Sequence, residues 1–310
     1  MDENNSRRPA VIILAGPTAS GKTEWGIELA LAVGSSIISA DSRQIYRWMD
    51  IGTAKPDHDQ LARVPHHLID LITPDQTYNA GLFLKDCQKL LNHCHSQSSP
   101  LPLIVGGTGL YIQTLLHGLA PIPDIPDELT QQLKNEMDTN GLEESYRRLT
   151  HLDPKTAAGV YPQDRQRIIR FLSICLHTGK SVSYWKSLHK KPIYPFDFHY
   201  IILQTDRDIL YRRINQRVDQ MIRLGLIDEV NSILNRGYSM DSPGLQTYGY
   251  REIIDYLQNR LSLTEAVDQI KTNTRHYAKR QMTWFNKIQD AHHLPASSMR
   301  LEQLLCLIHH

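Results

Sequence analysis

The sequence predicts an α/β fold with a parallel sheet, and three observations predict it. Residues 16–23 fit the phosphate-loop spacing G-x-x-x-x-G-K-[ST] at every fixed position. Short apolar, β-branched runs recur at residues 11–15, 36–40, 101–105 and 199–203, as buried parallel strands do. From residue 127 to about 195 the apolar spacing turns helical and no clear strand is visible. The chain therefore reads as a core, residues 1–118 and 196–310, interrupted by a helical insertion at 119–195.

Each element follows from its residues. Val11-Ile12-Ile13-Leu14-Ala15 suits a buried strand, and residues 24–33 space Trp25, Leu29 and Val33 by four, as one helix face. The junction between them gathers free backbone N–H groups and the positive end of a helix dipole at one point. Gly16 and Gly21 let the backbone curl around Pro17, Thr18, Ala19 and Ser20. Lys22 adds a mobile charge, and the Thr23 hydroxyl can ligate Mg²⁺. The stretch reads as a diphosphate cradle.

The second strand ends at Asp41-Ser42-Arg43-Gln44. Ligands of open parallel sheets sit beyond the carboxyl ends of the strands, so Asp41 falls on the same edge as the cradle. A carboxylate there can serve as general base, hold Mg²⁺, or merely cap the turn. Residues 52–56, Gly-Thr-Ala-Lys-Pro, read as a loop with a charge at its tip. The pairs His66-His67, His292-His293 and His309-His310 do not read as metal ligands, because neighbours in a strand face opposite ways and no ligand set is spaced around them. Residues 78–83 open a helix carrying Leu84, Leu90 and Leu91 inward. The strand at 101–105 ends in Gly106-Gly107-Thr108, where a nucleoside triphosphatase would usually place an Asp for Mg²⁺. The two glycines would permit close approach of a ligand, and Thr108 offers a hydroxyl.

Pro121, Pro123 and Pro126 mark the exit from the core. Helices are expected at 128–141, 142–150 and 165–177, the last capped by Asp164 and ended by Gly179. Between Gln163 and Lys191 seven Lys or Arg residues face one acid, with Tyr184 and Trp185 among them. Residues 207–235 read as one long helix in which Arg213 and Arg217 share a face fit for clamping phosphates. Gln246, Thr247, Tyr248, Gly249, Tyr250 and Arg251 open another helix, and the last helix carries Lys271, Arg275 and Lys279 at i, i+4 and i+8, with no acid before Lys287. Two such basic, aromatic-bearing stretches suit a polyanion such as RNA.

The composition sets bounds. A 310-residue chain with 41% hydrophobic residues can bury a large core, and a net charge of +1 confines any attraction to polyanions to local patches. No apolar run approaches a membrane span, and residues 1–9 lack the apolar segment of a secretory signal. Cys87, Cys94, Cys175 and Cys306 form no C-x-x-C, which suits a reducing, cytoplasmic setting. No long apolar interface stripe appears, so a monomer is expected.

The motifs at 16–23, 41–46, 49–56, 65–70 and 106–111 resemble, in order, the tRNA dimethylallyltransferase family. Residues 163–167, Arg213…Arg217-Val218…Met221, 249–252 and Thr274-Arg275…Ala278-Lys279-Arg280-Gln281…Trp284-Phe285 continue the resemblance across nearly the whole chain. It implies a P-loop nucleoside-triphosphate-hydrolase-like core with an all-α insertion that grips the anticodon stem-loop. The implied reaction moves a dimethylallyl group from dimethylallyl diphosphate to N6 of the adenosine 3′ of the anticodon, position 37. By position, Asp41 would be the base, Thr108 would assist at the amine, and Lys22, Thr23 and Arg217 would hold the diphosphate. Asp41, Ser42, Arg43 and Gln44, then Gln163, Asp164, Arg165, Gln166 and Arg167, then residues 246–251 would contact tRNA. Two positions depart from the pattern: Trp48 stands where a glycine is expected, and Gln163 where an Asn is expected.

Elementary chemistry agrees. An adenine N6 is a weak nucleophile and benefits from a base as the new bond forms. The leaving diphosphate gathers charge that Lys22, the loop amides, Mg²⁺ and an arginine would stabilise. A phosphate-loop small-molecule kinase, a prenyltransferase of free adenylate and a non-catalytic RNA-binding module are the competing expectations.

Overall fold

The computed structural model describes residues 8–309; Met1–Arg7 and His310, and with His310 half of the last His pair, lie outside the described residues. By contacts the chain divides into two compact units, Met1–Leu116 with Ile193–His310, and His117–Pro192. Among the described residues no helix is long and apolar enough to cross a membrane.

The first unit is built on β1 (Ala10–Ala15), α1 (Lys22–Val33), β2 (Ile37–Ser39), α2 (His58–Arg63), β3 (His66–His67), α3 (Ala80–Ser96), β4 (Leu103–Gly106) and α4 (Gly109–His117). The second contains α5 (Asp127–Asn140), α6 (Leu142–Leu152), α7 (Pro154–Ala157), α8 (Arg165–Thr178) and α9 (Val182–Ser187). The first unit resumes with β5 (Asp197–Gln204), α10 (Arg207–Arg223), α11 (Leu226–Asn235), α12 (Tyr250–Leu257), α13 (Leu263–Phe285), β6 (His292–Pro295) and α14 (Leu301–His309).

Six parallel strands form one sheet in the order β3-β2-β4-β1-β5-β6. Both faces are covered, which explains strands that are apolar throughout. Val11, Ile13 and Ala15 pack with Ile38, Ile104 and Tyr200 against Phe83, Leu91 and Phe285. Ile12 and Leu14 pack on the other face with Ile37, Leu103 and Ile201 against Ile27, Leu29 and Leu304. Each large aliphatic buried this way contributes about 1.5–3 kcal/mol. The edges are blunt: β3 has two residues, and β6 ends in Pro295.

Residues 207–235 are not one helix. Gly225 takes φ +99°, and α10 and α11 meet there. The break lets Leu226, Val230 and Ile233 of α11 turn into a third cluster with Ile45, Met49 and Tyr250. The helix carrying Lys271, Arg275 and Lys279 is not the last, because β6 and α14 follow it. His292 and His293 extend the sheet beside β5; His293 lies against the carbonyl of Ile288 at 2.8 Å and Gln204 at 3.2 Å.

The loop after β2 is closed from within. Lys55 does not project as a charged tip: its side chain is only 3% exposed, and Nζ donates to the Tyr46 carbonyl at 2.9 Å and to Asp50 and Asp70. Trp48 holds φ +65°, the left-handed region that suits glycine. Its ring lies 5.5 Å from Tyr238 and 4.8 Å from the Arg236 guanidinium, contacts a glycine could not make.

In the second unit Leu133, Met137, Leu149, Ile168 and Leu172 form a small core. Gly141 at φ +88° separates α5 from α6, the Asp164 carboxylate accepts the Arg167 N–H at 3.1 Å, and Gly179 ends α8 at φ +63°. Trp185 packs on Ile174, Cys175 and Val182 and donates to the Thr178 hydroxyl, whereas Tyr184 is exposed.

Candidate active site

A cavity of about 200 Å³ opens within the first unit at the carboxyl edge of β1, β2 and β4. Its floor is the loop after β1, where Ala19 and Gly21 take φ +63° and +91°. Lys22 folds back over the loop and donates to the Pro17 carbonyl at 2.7 Å. Ser20 is buried, and its hydroxyl has no partner among the described residues. From α10, Arg217 donates to the Thr18 hydroxyl at 3.3 Å, and Arg213 reaches the Ala19 carbonyl at 3.5 Å. Neither arginine has an acidic partner among the described residues, as a face meant for an exogenous anion requires. Desolvation lowers the Arg217 pKa, countered by Glu24 and Asp41 nearby.

Desolvation also pushes the Lys22 ammonium down to about 8; the Asp41 carboxylate opposes this and Arg217 adds to it. Ligand-free Lys22 therefore loses its proton as pH rises through about 8. Affinity for inorganic diphosphate, measured by calorimetry from pH 6.5 to about 9.5, is expected to fall along that limb, and Lys22→Met should flatten it. A limb retained in that variant would refute the assignment. The same shift makes stability rise with pH between about 8 and 10.5, where the unfolded chain still holds the proton that the native loop has lost.

Asp41 and Thr108 meet at the next strand ends. The Asp41 carboxylate accepts the Arg43 N–H at 2.8 Å, so it caps the turn and lines the cavity at once. Thr108 is held to the same segment: its N–H donates to the Ala40 carbonyl at 3.1 Å, and its hydroxyl accepts the Ser42 N–H at 3.0 Å. The two glycines before it line the cavity and also allow close packing behind it. A Cβ on Gly106 would lie 2.2 Å from the Ala40 oxygen, and one on Gly107 would lie 2.5 Å from the Gln281 amide. Gln44 is fixed between the Ser39 hydroxyl and the Ala54 carbonyl. From α13, Tyr277 lines the cavity; burial pushes its hydroxyl up to about 12, with Asp41 adding and Arg43 and Thr108 opposing.

The segment at 246–251 is split. Tyr248 lines the cavity with the guanidinium groups of Arg251 and Arg280 each 5.9 Å from its ring, and Arg280 donates to its hydroxyl at 3.0 Å. Thr247 is buried, and its hydroxyl has no partner among the described residues. Tyr250 corrects the expectation of an RNA contact: it is fully buried and donates to Glu229 at 2.5 Å. Glu229 also accepts the N–H groups of Asp50, Ile51 and Gly52 at 3.0, 2.7 and 3.1 Å. That carboxylate thus shapes the Gly52–Thr53–Ala54 wall of the cavity. Gln246 is exposed, and Gly249 enters α12 at φ +99° with its N–H donating to Glu252.

The basic stripe of α13 is mostly engaged. Lys271 pairs with Asp219 at 2.6 Å, and Arg275 donates to Asn215 at 2.7 Å and Thr272 at 2.9 Å; Lys279 is exposed. The acid-free run thus finds its acid on a neighbouring helix. In the second unit Gln163, Arg165, Gln166 and Arg167 are exposed around the start of α8, with Arg165 paired to Asp138 and Arg167 to Asp164.

No group of three His, Cys, Asp or Glu suited to a metal occurs among the described residues. His66 and His67 instead lie against the Val64 carbonyl and the Ser36 hydroxyl, and burial lowers both pKa values. The cavity does hold the Thr23 hydroxyl near Lys22 and Asp41. That oxygen donor set fits Mg²⁺ bound mainly through substrate phosphates and water.

A sequence model of the IPP transferase family matches residues 44–288. A tRNA dimethylallyltransferase of Geobacter sulfurreducens is 42% identical over 287 residues, 93% of this chain and 92% of that protein. One of Thermotoga petrophila is 42% identical over 281 residues, 91% of this chain and 90% of that protein. The crystal structure of a full-length tRNA isopentenylpyrophosphate transferase from Bacillus halodurans superposes with a TM-score of 0.69 at 35% identity, covering 98% of this chain and 95% of that one. A eukaryotic dimethylallyltransferase, crystallised acting on tRNA, superposes with a TM-score of 0.79 at 28% identity, covering 93% and 74%.

Proposed function

The chain belongs to the IPP transferase family, and from that premise we propose that it transfers a dimethylallyl group from dimethylallyl diphosphate to N6 of the adenosine 3′ of the anticodon, position 37, in tRNA. The observation that carries the reading is the single cavity that joins a cradle of Lys22, Thr23 and Arg217 to Asp41, with Thr108 fastened beside it. The core is a P-loop nucleoside-triphosphate-hydrolase-like body, and residues 119–195 are an all-α insertion that grips the anticodon stem-loop.

In the reaction the N6 lone pair attacks the allylic carbon while the bond from that carbon to the diphosphate oxygen breaks. The electron pair of the broken bond leaves with diphosphate. Asp41 accepts the N6 proton, and the Thr108 hydroxyl orients the amine. Lys22, the amides of residues 19–23 and Arg217 stabilise the charge on the leaving group. Thr23 would hold Mg²⁺, which when bound neutralises diphosphate charge. An adenine buried in a stem-loop must swing out to reach Asp41. Tyr248, flanked by Arg251 and Arg280, offers a ring on which a base can stack. Arg43, Gln44 and Lys279 in the core, and 163–167 in the insertion, supply further tRNA contacts.

The test is incubation with unmodified tRNA and dimethylallyl diphosphate, followed by mass spectrometry of the nucleosides. Dimethylallyl-adenosine at one site is expected. Efficient turnover of free AMP, or phosphoryl transfer from γ-labelled ATP to a small acceptor without tRNA, would overturn the reading.

A further inference from the structure

We propose that Gln281 is a positioning residue for this transfer: its amide ties the diphosphate loop to the turn bearing Thr108 and sets the spacing between allylic carbon and amine. The inference rests on the function proposed above.

β1 and β4 are adjacent in the sheet, and their register ends at the pair Ala15 and Gly106. Beyond that pair the two backbones part into the loops that carry the chemistry. Gln281 of α13 rejoins them. Its Oε1 accepts the Thr18 N–H at 2.8 Å, and its Nε2 donates to the Gly107 carbonyl at 2.8 Å. A side-chain amide offers the same acceptor and donor as a peptide unit, so it continues the ladder where backbone pairing stops. The seat is made for it: Gln281 is 7% exposed, and a Cβ on Gly107 would approach Nε2 to 2.5 Å.

Neighbouring positions of α13 act on the same turn. Tyr277, one helical turn earlier, lies beside Thr108, and Trp284, three residues later, covers Gly109, where a Cβ would meet its ring nitrogen at 2.3 Å. Thr18 is held on its other side by Arg217. Its N–H is thus engaged by the protein and serves spacing.

Removing the amide leaves a buried N–H and C=O unpaired and lets the loops separate. A misplacement near 1 Å costs on the order of 10²-fold in rate. Because Gln281 acts through the loops, the loss should fall on kcat. In Gln281→Leu, kcat is expected to drop about 10–100-fold, with KM for dimethylallyl diphosphate and Kd for tRNA within about threefold. Gln281→Glu keeps the acceptor for Thr18 but cannot donate to Gly107, and should be equally impaired. Thr108→Ala combined with Gln281→Leu should be no slower than Thr108→Ala alone.

A Gln281→Leu kcat within twofold of wild type overturns the proposal. So does a loss of tRNA affinity that matches the loss of rate, which would make Gln281 an RNA contact, and so do effects that multiply in the double variant. If Gln281→Leu does not fold, Gly107→Ala tests the bridge from the other side, and wild-type kcat there overturns it equally. A wild-type protein inert toward tRNA refutes the proposed function and this inference together; an active one with unaffected variants refutes this inference alone.

Discussion

Asp41→Asn is expected to bind tRNA as tightly as wild type while losing about 10²–10⁴-fold in prenyl transfer, the usual contribution of a positioned base. The carboxamide keeps an oxygen for the Arg43 N–H now bonded at 2.8 Å, so the turn after β2 should survive. What it loses is the capacity to take a proton from N6. Single-turnover rates with saturating substrates, beside a filter-binding isotherm for tRNA, separate the two effects. Transfer within tenfold of wild type would remove Asp41 from the chemistry and leave it only the cap.

Arg217→Gln is expected to lower kcat/KM for dimethylallyl diphosphate by about 10²–10³-fold, because a donor aimed at developing charge in a desolvated site typically contributes about 3–4 kcal/mol. Arg217→Lys should recover little, since a point charge does not reproduce the guanidinium fork that spans Thr18 and an anion. A second readout is independent of turnover. Arg217 is one of the charges that hold Lys22 down, so its removal should move the Lys22 titration up from about 8. Tightened diphosphate binding at pH 9 with unchanged turnover would contradict the leaving-group role.

Much of this site is legible in residue order. The cradle, Asp41 and Thr108 can be read because each follows a short β-branched run, and parallel topology brings all strand ends to one edge. Arg213 and Arg217 are legible as a pair from their spacing, although the helix that bears them stops at Arg223, just before Gly225, which gives no such signal among apolar neighbours. Gln281 and Glu229 were missed as site residues. A glutamine and a glutamate on amphipathic helices look solvated until the loops they bridge are folded against them. The partners of Lys271 and Arg275 were invisible for the same reason: Asp219 and Asn215 lie on α10, far away in sequence. Tyr250 was misplaced because an aromatic beside glycine and arginine reads as a stacking surface, whereas Glu229 draws it inside.

By itself the sequence determined the α/β class, the glycine-rich loop after the first strand, the acid and hydroxyl at neighbouring strand ends, and the family. These are local patterns, written by strand period, glycine conformation and the chemistry of single side chains. The tertiary structure decided which polar residues are machinery and which are surface. It placed Lys55 inside a loop rather than at its tip, spent the glycines of 106–107 on Ala40 and Gln281, and joined two separated loops through one amide. The physical reason is that a hydrogen bond between distant segments depends on where packing brings them, and no spacing along the chain encodes that distance.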